Sequence, residues 1–264
     1  MGRAIRRLLL PLFAAALLYS GPAGAIVNGQ LDGTRHPEVG ALIAEFRQAG
    51  QKDLLCSGTL IAPKVFLTAG HCTSFLASRG ITDVWVTFDP QFTSSSPLIH
   101  GRYVTNPQFG FSGPGGASDP HDQAVVLLDR AATGITPARL PRLNLLNAID
   151  LTSQTFTAVG YGTVRVDKTG GPNAFFFDST RRFATQFFLS LEPAWLNLSE
   201  NPSTGSGGTC FGDSGGPHFL GGVDSNLEVA LTVTGDSVCR ATDKDYRLDT
   251  KAARDFLSAF VSLP

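Results

Sequence analysis

The chain is poor in charge. Only 16% of its 264 residues are Asp, Glu, Lys or Arg, and 21 basic side chains nearly cancel 22 acidic ones to a formal −1. No basic excess exists to attract nucleic acid or an anionic membrane, so neither is expected as a partner. The N-terminal apolar stretch, Leu8 to Leu18, is about eleven residues long, whereas a helix spanning a bilayer needs roughly twenty. Cysteine is scarce too: Cys56, Cys72, Cys210 and Cys239. No Cys-x-x-Cys or paired histidine accompanies them, which argues against a zinc site, and neither metal nor cofactor is expected. The N-terminal segment has no cysteine to carry a lipid. Internal repeats are missing, as is any composition shift that would mark a second independent domain.

What the N-terminus does have is an address. Arg3, Arg6 and Arg7 precede the apolar stretch, and Ala23-Gly24-Ala25 follows it with the small-x-small pattern of a signal-peptidase site. Residues 1–25 are therefore expected to be a signal peptide and the protein to be secreted, into the periplasm or the medium. Its removal takes away three arginines and no acid, so the formal charge falls from −1 to −4. The mature chain would begin at Ile26; a cut after Ala23 would instead leave a Gly24-Ala25 stub. An even number of cysteines in an exported chain points to disulfides. Four cysteines allow three pairings, and the residues alone do not choose.

Between turns rich in Gly, Pro, Ser and Asn lie short β-branched and aromatic segments: 41–46, 84–89, 123–129, 155–163 and 228–235. This is the pattern of an all-β sandwich or barrel. Residues 105–120 and 201–209 read as surface loops. The Phe-rich segments "NAFFFDS" (173–179) and "TQFFLSL" (185–191) read as barrel core. One helix is expected, over 251–263, where Ala253, Phe256, Leu257, Phe260 and Val261 recur at three- and four-residue spacing, with Asp249 or Thr250 as its cap. Pro137 and Pro141 mark the best place for a crossover between two halves. Asn197-Leu198-Ser199 is a glycosylation sequon, a pattern that also arises by chance.

The strongest chemical signal is "CFGDSGGP" (210–217). Glycines around Ser214 free the backbone for turns closed to other residues, so that the N–H groups of Gly212 and Ser214 could face one spot and hold an oxyanion. A serine nucleophile needs a base, itself oriented by a third group. Of five histidines, His71 ends an apolar strand in "FLTAGHC" and is the candidate base; His36 and His100 sit in turn-rich contexts expected at the surface. The candidate orienting acid is Asp122, at the mouth of the apolar run "AVVLL", in preference to Asp119 in its Gly/Pro loop.

Four motifs in order, "IVNG" (26–29), "LTAGHC" (67–72), "DQAVVLL" (122–128) and "GDSGGP" (212–217), resemble the trypsin/chymotrypsin-like serine proteases over nearly all of residues 26–264. The resemblance implies two packed six-stranded antiparallel β-barrels with a C-terminal helix, as halves of roughly 26–140 and 141–250. It implies disulfides Cys56–Cys72 and Cys210–Cys239. Ser214 would be the nucleophile, His71 the general base and then acid, Asp122 the residue that fixes the imidazole, and Gly212 and Ser214 the oxyanion hole. Protein or peptide substrates follow. The family's new N-terminus turns inward, so that Ile26 would pair its ammonium with Asp213. Removal of the signal peptide would then itself yield active enzyme.

The expected substrate pocket comprises Gly208, Thr209, Thr234, Gly235 and Asp236. Here the sequence departs from the family. The floor position, six residues before Ser214, is Gly208 and not an acid, which points away from cleavage after Arg or Lys and towards a non-basic residue. Thr234 stands where a family serine touches the triad's acid. Gly235 replaces a tryptophan and Asp236 a glycine, and Lys244 falls near the pocket in a loose alignment. Two rivals remain. "GDSGG" also fits the nucleophile elbow of α/β-hydrolases, but that fold needs a histidine well downstream and strand–helix alternation; His218 alone follows Ser214. A binding protein that kept the fold and lost catalysis would be expected to lack a triad residue, and none is lacking.

Overall fold

The computed structural model describes residues 26–110, 118–165 and 175–264. The expected signal peptide, part of the 105–120 loop and the start of the first Phe-rich segment lie outside these described residues. After a two-residue strand β1 (Gln30–Leu31), six strands close a barrel: β2 (Val39–Ala44), β3 (Asp53–Ala62), β4 (Val65–Thr68), β5 (Asp83–Thr87), β6 (Ile99–Thr105) and β7 (Ala124–Leu128), paired in the order β2-β3-β4-β7-β6-β5 and back to β2. Closure leaves no edge strand to template aggregation. Their sequences are apolar enough to fill the interior: Leu42, Leu60, Phe66, Leu67, Val86 and Val125 are all fully buried. A helix α1 (Gly70–Ala77) follows β4. The sequence reading placed no helix there, because "GHCTSFLA" is too short to show a helical period.

The second half contains β8 (Thr155–Gly160), a small ribbon of β9 (Val164–Arg165) and β10 (Phe175–Phe176), then β11 (Arg182–Leu191), β12 (Trp195–Ser199), β13 (Pro217–Leu220), β14 (Glu228–Gly235) and β15 (Thr242–Arg247). Strands β11-β12-β15-β14-β13-β8 form a second ring, sealed by antiparallel pairing of β8 with β11, with β1 added outside β11. The architecture is thus two six-stranded antiparallel barrels. The connection over 129–154, which includes Pro137 and Pro141, runs between them.

The C-terminal helix α2 is shorter than expected, Lys251–Leu257. Thr250 caps it, accepting from Ala253 N at 3.2 Å, while Asp249 is otherwise engaged with Arg247 and Leu146 N. Beyond Leu257 the backbone tightens, with Phe260 N bonding Leu257 O, so the apolar period continues in a turn that lays Phe260 and Val261 on the first core.

Two surface readings are corrected. His36 is 2% exposed; its Nδ1 lies 2.5 Å from Asp32 Oδ1 and its ring stacks on Phe219, since Arg181 and Asp32 build a polar network under the turn. Conversely, the Phe-rich segments do not fill the core throughout: Phe176, Phe177, Phe187 and Leu189 are exposed. β11 is buried on both faces at Arg182–Ala184, and it turns Phe187 and Leu189 outward only in its second half. The sequon residue Asn197 is buried, its amide donating to Ser190 and Glu192.

Candidate active site

Both expected disulfides are present, Cys56–Cys72 and Cys210–Cys239. The first ties β3 to α1 and so fixes the helix turn that carries His71. Asp122 lies two residues before β7 and is nearly buried. His121, just ahead, has φ +50, an uncommon value for a residue with a side chain. Gln123 N closes a tight turn onto His121 O, and this turn presents Asp122 to His71. Its Oδ1 accepts from His71 N at 2.8 Å and its Oδ2 meets His71 Nδ1 at 2.9 Å. Two bonds to one residue fix both the position and the rotation of the imidazole, and Nε2 is the ring nitrogen that Asp122 does not touch. The neighbouring acid Asp119 is used elsewhere, by Tyr246 Oη and His121 N.

Ser214 arrives from the other barrel, in the turn between Cys210 and β13. What brings the two halves into register is backbone. At Gly215, φ +80, a Cβ would lie 2.3 Å from Thr68 Oγ1 and 2.6 Å from Ala69 N. Only glycine allows this approach, and it seats Ser214 beside the chain that leads into His71. Ser57 completes the junction: its N–H donates to Ser214 O at 2.9 Å and its hydroxyl to Gly212 O at 3.0 Å, while the same hydroxyl accepts from Tyr161 N. Sequence reasoning missed Ser57, whose only signal was its place after Cys56.

The peptide planes around the serine are set by their carbonyls. Phe211 O accepts from both the N–H and the hydroxyl of Thr163, and Asp213 O accepts from Gly216 N. In a trans peptide N–H and C=O point oppositely, so the N–H groups of Gly212 and Ser214 are turned away from those partners. That leaves them available to a developing negative charge.

Asp213 is fully buried, accepting from Gly162 N at 2.7 Å and Cys210 N at 2.9 Å. Burial pushes its pKa up to about 7 despite those two donors. Ile26 is fully buried with Ala158 and Ala184, and Val27 pairs with Gly208 through two backbone bonds of 2.8 and 2.9 Å.

Beside Ser214 opens a narrow cavity of about 120 Å³, lined by Thr209, the Cys210–Cys239 disulfide, Thr234, Gly235 and Asp236. Asp236 shapes its rim by accepting from Val238, Arg240, Ala241 and Thr242 backbone N–H groups, which hold its carboxylate below its ordinary pKa against the opposing cost of burial. Thr234 is exposed on β14, and the bonds to Asp122 among the described residues come from His71, not Thr234. Lys244 also departs from expectation. β15 alternates, so Asp243 and Asp245 turn inward while Lys244 points out to Glu192 and over the Trp195 ring. One buried trio could offer metal donors, His218, Asp243 and Asp245, with atoms within 4.8 Å of one another. Two of its members are hydrogen-bonded to protein, His218 Nε2 to Thr232 Oγ1 at 2.9 Å and Asp243 to Gln186 and Thr209, while Asp245 Oδ1 lies 2.8 Å from His218 Nε2.

The family model for trypsin matches residues 43–256. A chymotrypsin from Phaedon cochleariae is 27% identical over 235 residues, covering 84% of this chain and 77% of that protein. Kallikrein-8 from Rattus norvegicus is 24% identical over 193 residues, 72% of this chain and 70% of that one. Among solved structures, HL collagenase has the same fold, with a TM-score of 0.66 at 19% identity over 90% of this chain and 100% of that chain. No helix among the described residues is long and apolar enough to cross a membrane.

Proposed function

Because the chain belongs to the trypsin family, we propose that it is a secreted serine endopeptidase acting through a Ser-His-Asp acyl-enzyme. The observation that supports this reading is the seating of Gly215 against Thr68 and Ala69, which packs the Ser214 turn of one barrel on the segment that leads into the Asp122-bonded His71 of the other. Ser214 Oγ attacks the peptide carbonyl carbon as its proton passes to His71 Nε2. The resulting oxyanion is held by the N–H groups of Gly212 and Ser214, donors typically worth about 10²–10³ each in rate. The C–N bond then breaks, and the leaving amine takes the proton from His71. Water, deprotonated by the same base, attacks the ester carbonyl and releases the acid, returning the proton to Ser214. Asp122 stays ionised and holds the ring in one tautomer.

Activation belongs to the same reading. A cut after Ala25 frees an ammonium at Ile26, and Asp213 is a buried carboxylate that accepts only backbone N–H groups among the described residues. An α-amine titrates near 7.7–8.0 in model peptides and is raised by a buried carboxylate. Their ion pair would lock the Ser214 turn, so export would itself release an active enzyme. The test is the intact mass of the secreted protein before and after a serine-directed phosphonate. A chain starting at Ile26 that gains one label, with none on Ser214→Ala, is the expected result. A chain starting elsewhere that becomes labelled only after trimming to Ile26 would overturn activation by export. An Ile26 chain that refuses the label would overturn the enzyme itself and leave a protease-fold binding protein.

A further inference from the structure

We infer that His218, Asp243 and Asp245 hold one zinc ion inside the second barrel, a structural site that does not depend on the hydrolytic reading. All three side chains are fully buried, and their donor atoms lie within 4.8 Å of one another. Strand alternation puts them there. Asp243 and Asp245 are two apart on β15 and so share its inward face. His218 projects from β13, where its partners in register are the small Ala158 and Ala230. β14 separates β13 from β15 in the ring, so no spacing along the chain announces the trio. The sequence reading argued against zinc from the cysteines; these donors are of another kind.

The contacts within the trio are close but incomplete. His218 Nε2 lies 2.8 Å from Asp245 Oδ1 and 3.7 Å from Asp243 Oδ2. The shorter approach lacks the alignment of a hydrogen bond, and neither oxygen of Asp245 has a hydrogen-bond partner among the described residues. Donors on a tetrahedral zinc, with bonds of about 2.0–2.2 Å, stand roughly 3.3–3.6 Å apart, between those two separations. Charge points the same way. Among the described residues His218 is the only basic side chain within ion-pair distance of either acid, and buried charge without compensation is strongly unfavourable. A divalent ion balances two carboxylates and a neutral imidazole to zero. One nitrogen with two oxygens suits zinc, whereas calcium takes roughly six to eight oxygens. Outer contacts of the kind that steady ligating groups are in place: Gln186 Nε2 and Thr209 Oγ1 each donate to Asp243 at 2.8 Å. The Thr232 hydroxyl, 2.9 Å from His218 Nε2, offers a fourth oxygen. Thr209 and Thr232 also line the cavity beside Ser214, so an ion here braces that wall from behind.

The test begins with metal content, measured by plasma mass spectrometry on the Ser214→Ala protein, produced with added zinc and then dialysed against EDTA. About one zinc per chain is expected, since a sealed site keeps its ion while the barrel stays closed. Less than about a tenth of an equivalent overturns the site and leaves a proton shared by the two acids in its place. Asp245→Asn, made in the same background, keeps the volume of the side chain and removes its charge. It should hold at least about tenfold less zinc; a full equivalent retained would put the ion elsewhere and overturn the assignment. Where that variant fails to fold, crystals of the Ser214→Ala protein decide. Anomalous difference density at the zinc absorption edge should peak among His218 Nε2 and the carboxylates of Asp243 and Asp245. No peak there overturns the inference, whatever the phosphonate labels.

Discussion

The two barrels close the same number of strands around unlike interiors. In the first, β2, β4 and β7 supply little but aliphatic and aromatic side chains, and Leu42, Leu60, Phe66 and Val125 meet one another in the dark. In the second, β15 turns Asp243 and Asp245 inward to meet His218, with Glu200 and Asp213 close by, every one of them buried. One interior is stabilised by removing apolar surface from water, about 25 cal/mol per Å². The other holds acids whose burial favours their protonated forms, raising Glu200 to about 10 and Asp213 to about 7.

The sharpest way to probe that contrast is a cavity in the first barrel. Leu60→Ala should cost about 2–5 kcal/mol, and the loss, read from urea melts, should be the same at pH 5 and pH 9. A loss that varied strongly with pH would mean that the two interiors are not distinct. Glu200→Gln should behave in the opposite way. With a folded-state pKa near 10 against an ordinary 4.5, Glu200 in wild type keeps its proton on folding while the unfolded chain gives it up. Unfolded molecules thus bind fewer protons between these values, and wild-type stability falls as pH rises through the window, by at most about 1.4 kcal/mol per pH unit. The variant lacks this slope, so its advantage over wild type should widen from pH 5 to pH 9. Parallel curves would show that Glu200 is already ionised and compensated. The smallest effect belongs to the helix packed outside both rings: Thr250→Ala removes the cap on Ala253 N and should cost about 1 kcal/mol, without any pH dependence.

The sequence was most legible where one local pattern decides the outcome. Strand segments such as 228–235 alternate or run apolar and are punctuated by turns, and β14 occupies the same residues. The motifs around His71, Asp122 and Ser214 could be read because each is a short run of special residues. Contacts made across the molecule could not be. Glu200 lies in a plain stretch, and only the fold lays its side chain against Gly208, which bridges to Val27. His36 read as a surface residue because its partners, Asp32, Arg181 and Phe219, are mostly remote in the chain. Phe176 and Phe187 misled for the converse reason: hydrophobicity was visible, but not which face of β10 or β11 meets the interior. Lys244 was placed by counting, and one residue of strand alternation sent it outward.

Ser57 has a consequence for how such a chain is made. It belongs to the barrel that is synthesised first, yet its donors clasp the carbonyls of Gly212 and Ser214, which are synthesised near the end. Domains tend to fold in order of emergence, so His71 and Asp122 would wait in a finished half while Ser214 is still unmade. On the proposed reading, cutting power would thereby be the last property the molecule acquires, and a half-made copy would be harmless to its siblings.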